Sequence, residues 1–154
     1  MSLAPGLEIR PSPIDGKGCF ATMFFRKGGK IAEYVGERIS AAEVERRVRG
    51  RRKMRIVQID DRWSLDGSKG GNGTHYINHS CDPNAIMKVL YGHILFFARR
   101  DILPGDEITI DYISTWHGDT KRCKCKSPQC RGTINRPTPS TRERVTRPNH
   151  PTAS

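Results

Sequence analysis

The chain has no run of about 18 apolar residues, which excludes a membrane-spanning helix. No basic segment followed by an apolar stretch stands at the N-terminus, so no signal peptide is expected. Apolar residues make up only 35% of the chain. Part of that deficit comes from the last stretch, which from Pro137 on is dominated by Pro, Thr, Ser, Arg and Asn and is expected to be disordered. Cysteine is sparse, with an odd total of five. Four of the five fall at or after Cys81, a spacing that suits a metal site in a reducing, intracellular compartment better than a disulfide scaffold. Acidic residues are also few, 16 against 27 Lys and Arg, for a formal charge of +11. Such a surface attracts polyanions, nucleic acid first among them. No βαβ alternation is visible, so the glycines do not mark a dinucleotide-binding fold. Internal repeats are absent too. A length of 154 residues leaves room for one domain with a real core.

The densest chemistry lies in Tyr76-Ile77-Asn78-His79-Ser80-Cys81-Asp82-Pro83-Asn84-Ala85. A loop that only turns a corner needs Gly, Pro, Asn or Asp, not a Tyr, a His and a Cys as well. Around it the sequence predicts short strands. Ile9 to Ile14 reads as an edge piece broken by prolines, and the first eight residues as a frayed leader. Gly16-Lys17-Gly18-Cys19-Phe20-Ala21 suggests sharp bends or backbone passing close to a ligand. Ile31 to Val35 is strand-like. Ser40 with Glu43 forms a capping box for a short helix over Ala41 to Val48. A basic block follows, with Arg46, Arg47, Arg49, Arg51, Arg52, Lys53 and Arg55. Ile56 to Ile59 and Trp63 to Leu65 read as strands about the Asp60-Asp61 turn, and Ala85 to Val89 with Ile94 to Ala98 as a hairpin about Tyr91-Gly92. Ile108 to Ile113 is β-rich.

Residues 117 to 132 carry three cysteines, Cys123, Cys125 and Cys130, and almost nothing apolar. A segment this polar does not fold without a staple, and structural zinc supplies on the order of 10–16 kcal/mol. Zinc wants four ligands in a tetrahedron. Cys81, Cys19 and five histidines are the candidates for the fourth. Lys121, Arg122, Lys124, Lys126 and Arg131 would offset thiolate charge, and no water site is implied, so the zinc is expected to be structural.

Taken in order, these motifs resemble a SET-domain protein lysine methyltransferase with a post-SET zinc segment and no pre-SET region. The resemblance rests on Gly16 to Ala21, on Glu33-Tyr34-Val35-Gly36-Glu37, on Tyr76 to Ala85, on Gly105-Asp106-Glu107-Ile108-Thr109-Ile110-Asp111-Tyr112 and on the Cys123, Cys125, Cys130, Arg131, Gly132 spacing. It covers roughly residues 8 to 134. It implies a mostly β fold of small twisted sheets around a C-terminal pseudoknot, with a short helical insert and a zinc-stapled tail. Such threading is a rare exception to the rule against it. The implied division is a leader at 1–8, the SET domain at 9–116, the post-SET segment at 117–134 and a polar tail at 135–154.

The same resemblance assigns roles. Tyr112 becomes the catalytic residue and Tyr34 a second wall of the lysine channel. Lys17, Gly18, Cys19, Phe20, Tyr76, Asn78, His79, Tyr112 and Ile134 become contacts of the methyl donor S-adenosylmethionine, with Asn78 on its amino-acid part, the His79 backbone on its adenine and Ile134 covering that ring. The Cys19 side chain is expected as a buried free thiol. Cys81 completes the zinc set with Cys123, Cys125 and Cys130. Ile110 occupies the product-specificity position usually held by Phe or Tyr and implies a roomy pocket permissive of di- or trimethylation. The implied substrate is a lysine-bearing protein, a histone or another basic DNA-associated protein, and Arg46 to Arg55 is a candidate nucleic-acid contact. Asp60, Asp61, Asp66 and Asp111 are candidates to receive a basic substrate. The implied location is the nucleus or chromosomes in a eukaryote and the cytoplasm in a prokaryote. The competing expectation is an inactive module of the same fold that binds a lysine-bearing protein or DNA.

Overall fold

The computed structural model describes residues 2–49, 55–112 and 122–134. Residues 50–54 of the basic block, residues 113–121 and the polar tail at 135–154 lie outside the described residues. Four small sheets make up the described fold. β1 (Leu7–Pro11) pairs antiparallel with β2 (Lys17–Ala21). β3 (Lys30–Glu33), β9 (His93–Ala98) and β8 (Ala85–Leu90) form a three-stranded sheet with β9 in the middle, and so do β4 (Glu37–Ser40), β6 (Trp63–Asp66) and β5 (Ile56–Gln58) with β6 in the middle. The last pair, β7 (Asn78–His79) and β10 (Thr109–Ile110), is parallel.

The core sits where these sheets meet. Cys19, Ile94, Ile102 and Ile108 are fully buried there and Phe96 nearly so. The β8–β9 hairpin turns at Tyr91 and Gly92, both at positive φ (50° and 79°). Glycine reaches that conformation without strain, and the register it sets places Met87 opposite Phe96.

Helix α1 (Ala41–Val48) starts where the Ser40 hydroxyl accepts from the Glu43 amide at 3.3 Å. Only half of the expected capping box forms. The Glu43 carboxylate does not turn back to Ser40 but accepts from Arg46 Nε (2.8 Å) and Arg47 Nε (2.6 Å). Arg47 is buried, and its Nη1 also reaches Glu37 at 2.7 Å and the fully buried Asp66 at 2.8 Å. An ionic cluster with three carboxylates therefore fastens this helix to the β4–β6 sheet. Pairing of this kind is what a buried guanidinium and a buried carboxylate require.

Two expectations about elements change. The described part of the leader, residues 2–8, is ordered against the domain: Leu7 begins β1 opposite Ala21, Ala4 is buried, and the Ala4 amide donates to Asn72 O at 3.0 Å. Gly6 makes the turn at φ 78°, where a Cβ would meet Met23 Sδ at 2.7 Å. Among the described residues of the β-rich run, 108–112, only Thr109 and Ile110 are strand. Asn84 braces the start of this pair, its side chain accepting from the Thr109 amide (3.0 Å) and donating to Glu107 O (2.8 Å).

Candidate active site and metal centre

The β7–β10 pair brings the two chemistry-bearing stretches side by side, with Asn78 opposite Thr109 and His79 opposite Ile110. The Ser80 amide continues the pairing to Ile110 O at 3.0 Å. Tyr112 follows directly and is held by its own backbone. Its amide donates to His79 Nδ1 at 3.0 Å, its hydroxyl donates to Ile77 O, and its ring meets the His79 ring edge-on at 5.4 Å. Because Nδ1 accepts, the His79 proton is assigned to Nε2, which points at Cys81 Sγ 3.3 Å away.

Tyr34, buried just after β3, donates its hydroxyl to Arg55 O at 2.6 Å. Gly67 makes room for this phenol, since a Cβ there would lie 2.5 Å from the Tyr34 oxygen. Burial raises the pKa of both tyrosines above the ordinary phenol value, so both stay neutral hydrogen-bond donors. They line one narrow cavity of about 40 Å³ together with Arg55, His75, Met87, Phe96 and Ile110. Burial, helped by the charge of Arg55, pulls the His75 pKa down to about 4, so this ring is neutral too.

Next to the cavity lies a cluster of acceptors. Asn78 Nδ2 donates to Glu107 Oε1 (2.9 Å), Lys17 O (3.1 Å), Ser12 Oγ (3.2 Å) and Asp15 O (3.3 Å). An amide nitrogen has two hydrogens for these four acceptors, so the cluster has capacity left for a further donor such as an ammonium group. Tyr76 borders this region, with Arg55 Cζ 4.6 Å and Lys17 Nζ 6.0 Å from its ring centroid.

The metal centre joins the tail to the same loop. Sγ atoms of Cys81, Cys123, Cys125 and Cys130 all lie within 4.8 Å of one another, and Cys81 and Cys123 are 3.7 Å apart. Zinc with Zn–S bonds near 2.3 Å requires sulfur–sulfur edges of about 3.8 Å in a tetrahedron. Four thiols at this spacing fit that ion. Backbone amides already point at the sulfurs, Arg131 at Cys81, Cys125 at Cys123 and Gly132 at Cys130, each at 3.4 Å. Arg131 fixes the tail a second time through a bidentate pair with Asp111, Nη1 to Oδ2 and Nη2 to Oδ1 at 2.8 Å each.

The structure thus gathers Tyr34, Tyr112, Ile110, Asn78, His79, Tyr76 and Lys17 around one place. Gly18 lies in the same neighbourhood and packs against a second group there. A Cβ there would sit 2.2 Å from Glu107 Oε1, so this glycine admits a carboxylate. The side chains of Cys19 and Phe20 are buried, and the Cys19 carbonyl accepts from the Ile108 amide at 2.8 Å. Burial pushes the Cys19 thiol up to about 12, as expected of an inert buried residue. Ile134 is half-buried, its carbonyl 3.5 Å from Arg131 Nη2. Of the acidic residues expected to meet a basic substrate, Asp60 caps its own turn, Asp66 pairs with Arg47 and Asp111 with Arg131. Arg55, His75, Glu107 and the Arg131–Asp111 pair were not legible as site groups. Arg55 and Arg131 were hidden among other cations, and the partners of Arg55, Glu107 and Arg131 lie far away in sequence.

A small-sheet β protein that staples a four-thiol tail beside a two-tyrosine cavity is the class defined by this geometry. The family model for the SET domain matches residues 16–113. The chain is 36% identical over 141 residues to the histone-lysine N-methyltransferase TRX1 of Oryza sativa subsp. japonica, covering 84% of this chain and 14% of that protein. It is 35% identical over 132 residues to the histone-lysine N-methyltransferase trithorax of Drosophila virilis (80% and 3%), and 34% identical over 138 residues to the H3 lysine-4 specific histone-lysine N-methyltransferase of Schizosaccharomyces pombe (84% and 15%). The chain spans less than a sixth of the length of each of these relatives. It belongs to the SET-domain family.

Proposed function

We propose that this chain transfers methyl groups from S-adenosylmethionine to the side-chain amine of a lysine in a protein, a histone or another basic chromatin protein. The observation that carries the proposal is the convergence of two neutral phenols, Tyr34 and Tyr112, on a narrow cavity beside the acceptor cluster at Asn78. When bound, S-adenosylmethionine supplies a methyl group activated by its sulfonium. The acceptor groups at Asn78 and Lys17 O suit its ammonium, and Tyr76, with the tail at Ile134, encloses its adenosine side. Tyr34 and Tyr112 orient the lysine amine for in-line attack, and holding it there contributes several kcal/mol of the catalysis. The N–C bond forms as the C–S bond breaks, leaving a neutral thioether, and the extra proton of the product amine leaves to water. No strong base is needed if the amine enters deprotonated.

Ile110 lines the cavity without a hydroxyl, which supports di- and trimethylated products. The names of the relatives favour histone substrates and a chromatin location. Part of the basic block is occupied: Arg46 and Arg47 pair within the protein and Arg55 lines the cavity. Any nucleic-acid contact therefore rests on Arg49 and on the cations at 51–53.

The test is a mass-resolved methyl-transfer assay on zinc-loaded protein with S-adenosylmethionine and a pool of histones. Mass gain on a mapped lysine is expected, with a loss of at least about a hundredfold in Tyr112→Phe and donor affinity kept within about threefold. Donor binding without transfer to any basic protein would favour the inactive-module reading instead.

A further inference from the structure

Methyl transfer needs a lysine amine without its proton, yet free lysine titrates near 10.4. No strong base lines the cavity. The phenols of Tyr34 and Tyr112 are neutral donors, and His75 is too weak a base. Something else must favour the neutral amine.

Among the described residues Arg55 is the only arginine or lysine lining the cavity and no carboxylate lines it, and its charge acts on the lining Tyr34, His75 and Tyr112. The guanidinium packs over the Tyr76 ring at 4.6 Å and has no ion-pair partner among the described residues. Its position is fixed by its own backbone, whose carbonyl accepts from the Tyr34 hydroxyl (2.6 Å) and the Gly67 amide (2.8 Å). Strands β8 and β9 contribute only Met87 and Phe96 to the cavity. Nearby carboxylates are engaged elsewhere: Glu107 holds Ser12 and Asn78, and Asp66 holds Arg47 and Ser68. Asp15 and Glu107, outside the cavity, both act on Tyr112 through their charge and oppose Arg55 there. Lys17, across the Tyr76 ring, adds a second positive charge.

We propose that Arg55 is an electrostatic tuning residue that keeps the substrate lysine amine unprotonated in the cavity. The inference rests on the methyltransferase reading above. A lysine ammonium entering a cavity that an arginine lines and no carboxylate does gives its proton to bulk water, and the neutral amine that remains is the nucleophile. A unit charge about 7 Å away, at an effective dielectric of about 30, moves an amine titration by about one pH unit.

The experiment is the pH dependence of kcat, with saturating donor and histone peptide, for wild type, Arg55→Gln and Arg55→Lys. The acid limb is expected about one pH unit higher in Arg55→Gln and back near wild type in Arg55→Lys. Donor affinity in Arg55→Gln should be no weaker than wild type, because Arg55 repels a sulfonium. A limb that stays in place in Arg55→Gln, or moves equally in both variants, overturns the proposal, as does a large loss of donor affinity confined to Arg55→Gln. If Arg55→Gln is too slow to profile, the bound amine is titrated directly by NMR with an ε-13C-lysine peptide and S-adenosylhomocysteine. An unshifted titration there also overturns it. A wild-type chain that transfers no methyl at any pH overturns the methyltransferase reading itself, a result distinct from an unmoved limb in an active enzyme.

Discussion

Replacing Arg131 by Leu should loosen the tail from the domain without removing any metal ligand. In the native protein two charge-assisted hydrogen bonds of 2.8 Å join Arg131 to Asp111. The Arg131 side chain is 10% exposed and that of Asp111 27%. Fully exposed pairs contribute about 0–1 kcal/mol, and breaking a fully buried pair costs about 3–5 kcal/mol. Asp111 left alone can recover some hydration, so a loss of about 2 kcal/mol is expected, about 30-fold in the docking equilibrium. Three zinc ligands belong to the tail and Cys81 to the body of the domain, so undocking separates the fourth thiol from the others. Zinc release to a competing chelator, followed by stopped flow, should therefore speed up by about 10- to 30-fold. In a double-mutant cycle, adding Asp111→Asn to Arg131→Leu should cost less than Asp111→Asn does alone. Release within twofold of wild type, in a variant with an unchanged near-ultraviolet spectrum, would refute the idea that this pair holds the tail.

Three further outcomes follow from other contacts. Arg47→Met leaves the fully buried Asp66 without its cation and should cost about 3–5 kcal/mol in urea unfolding, with recovery of stability when Asp66→Asn is added. Ile110→Tyr places a hydroxyl in the cavity and should shift the product toward monomethyl-lysine, read by mass spectrometry; unchanged product ratios would refute a specificity role at that position. His75 has a folded pKa of about 4, below its ordinary value of 6.5, so the unfolded chain takes up the proton first and stability falls as pH drops from 6.5 towards about 4. His75→Phe should flatten that part of the Tm–pH curve, and an identical slope in both proteins would show that the ring titrates normally.

Local rules served the sequence well where the partner is close in the chain. Ser40 fixes the start of α1 through an amide three residues on, and Gly92, at positive φ, turns the hairpin. The tail cysteines were legible for the same reason, because their spacing is itself the constraint. What could not be read is pairing at long range. Arg47 looked like one of seven solvated cations, and only the fold brings it Glu37 and the buried Asp66. Leu7 stood in a stretch that looked frayed because its cover, Ala21, is fourteen residues away across a turn. Gly18 also makes room for Glu107, a carboxylate nearly ninety residues later that the sequence does not point to. Tyr34, Ile110 and Tyr112, which the family motifs name, do line one cavity, but those motifs left out Arg55, which lines it as well.

The loop at 78–81 carries an acceptor-bound amide, an imidazole and a thiol within four residues, and each faces a different part of the site. The imidazole joins the other two functions. Its Nδ1 can accept from the Tyr112 amide only while the proton stays on Nε2, and that proton points at Cys81 Sγ. A metal-bound thiolate is a far better acceptor than a protonated thiol, so a filled zinc site favours the tautomer that holds Tyr112 in place. Hydrogen bonds from a ligand's neighbours are usually described as tuning the metal. Here the influence runs the other way too, since the backbone of the proposed catalytic tyrosine is the last link of a chain that starts at a zinc ligand.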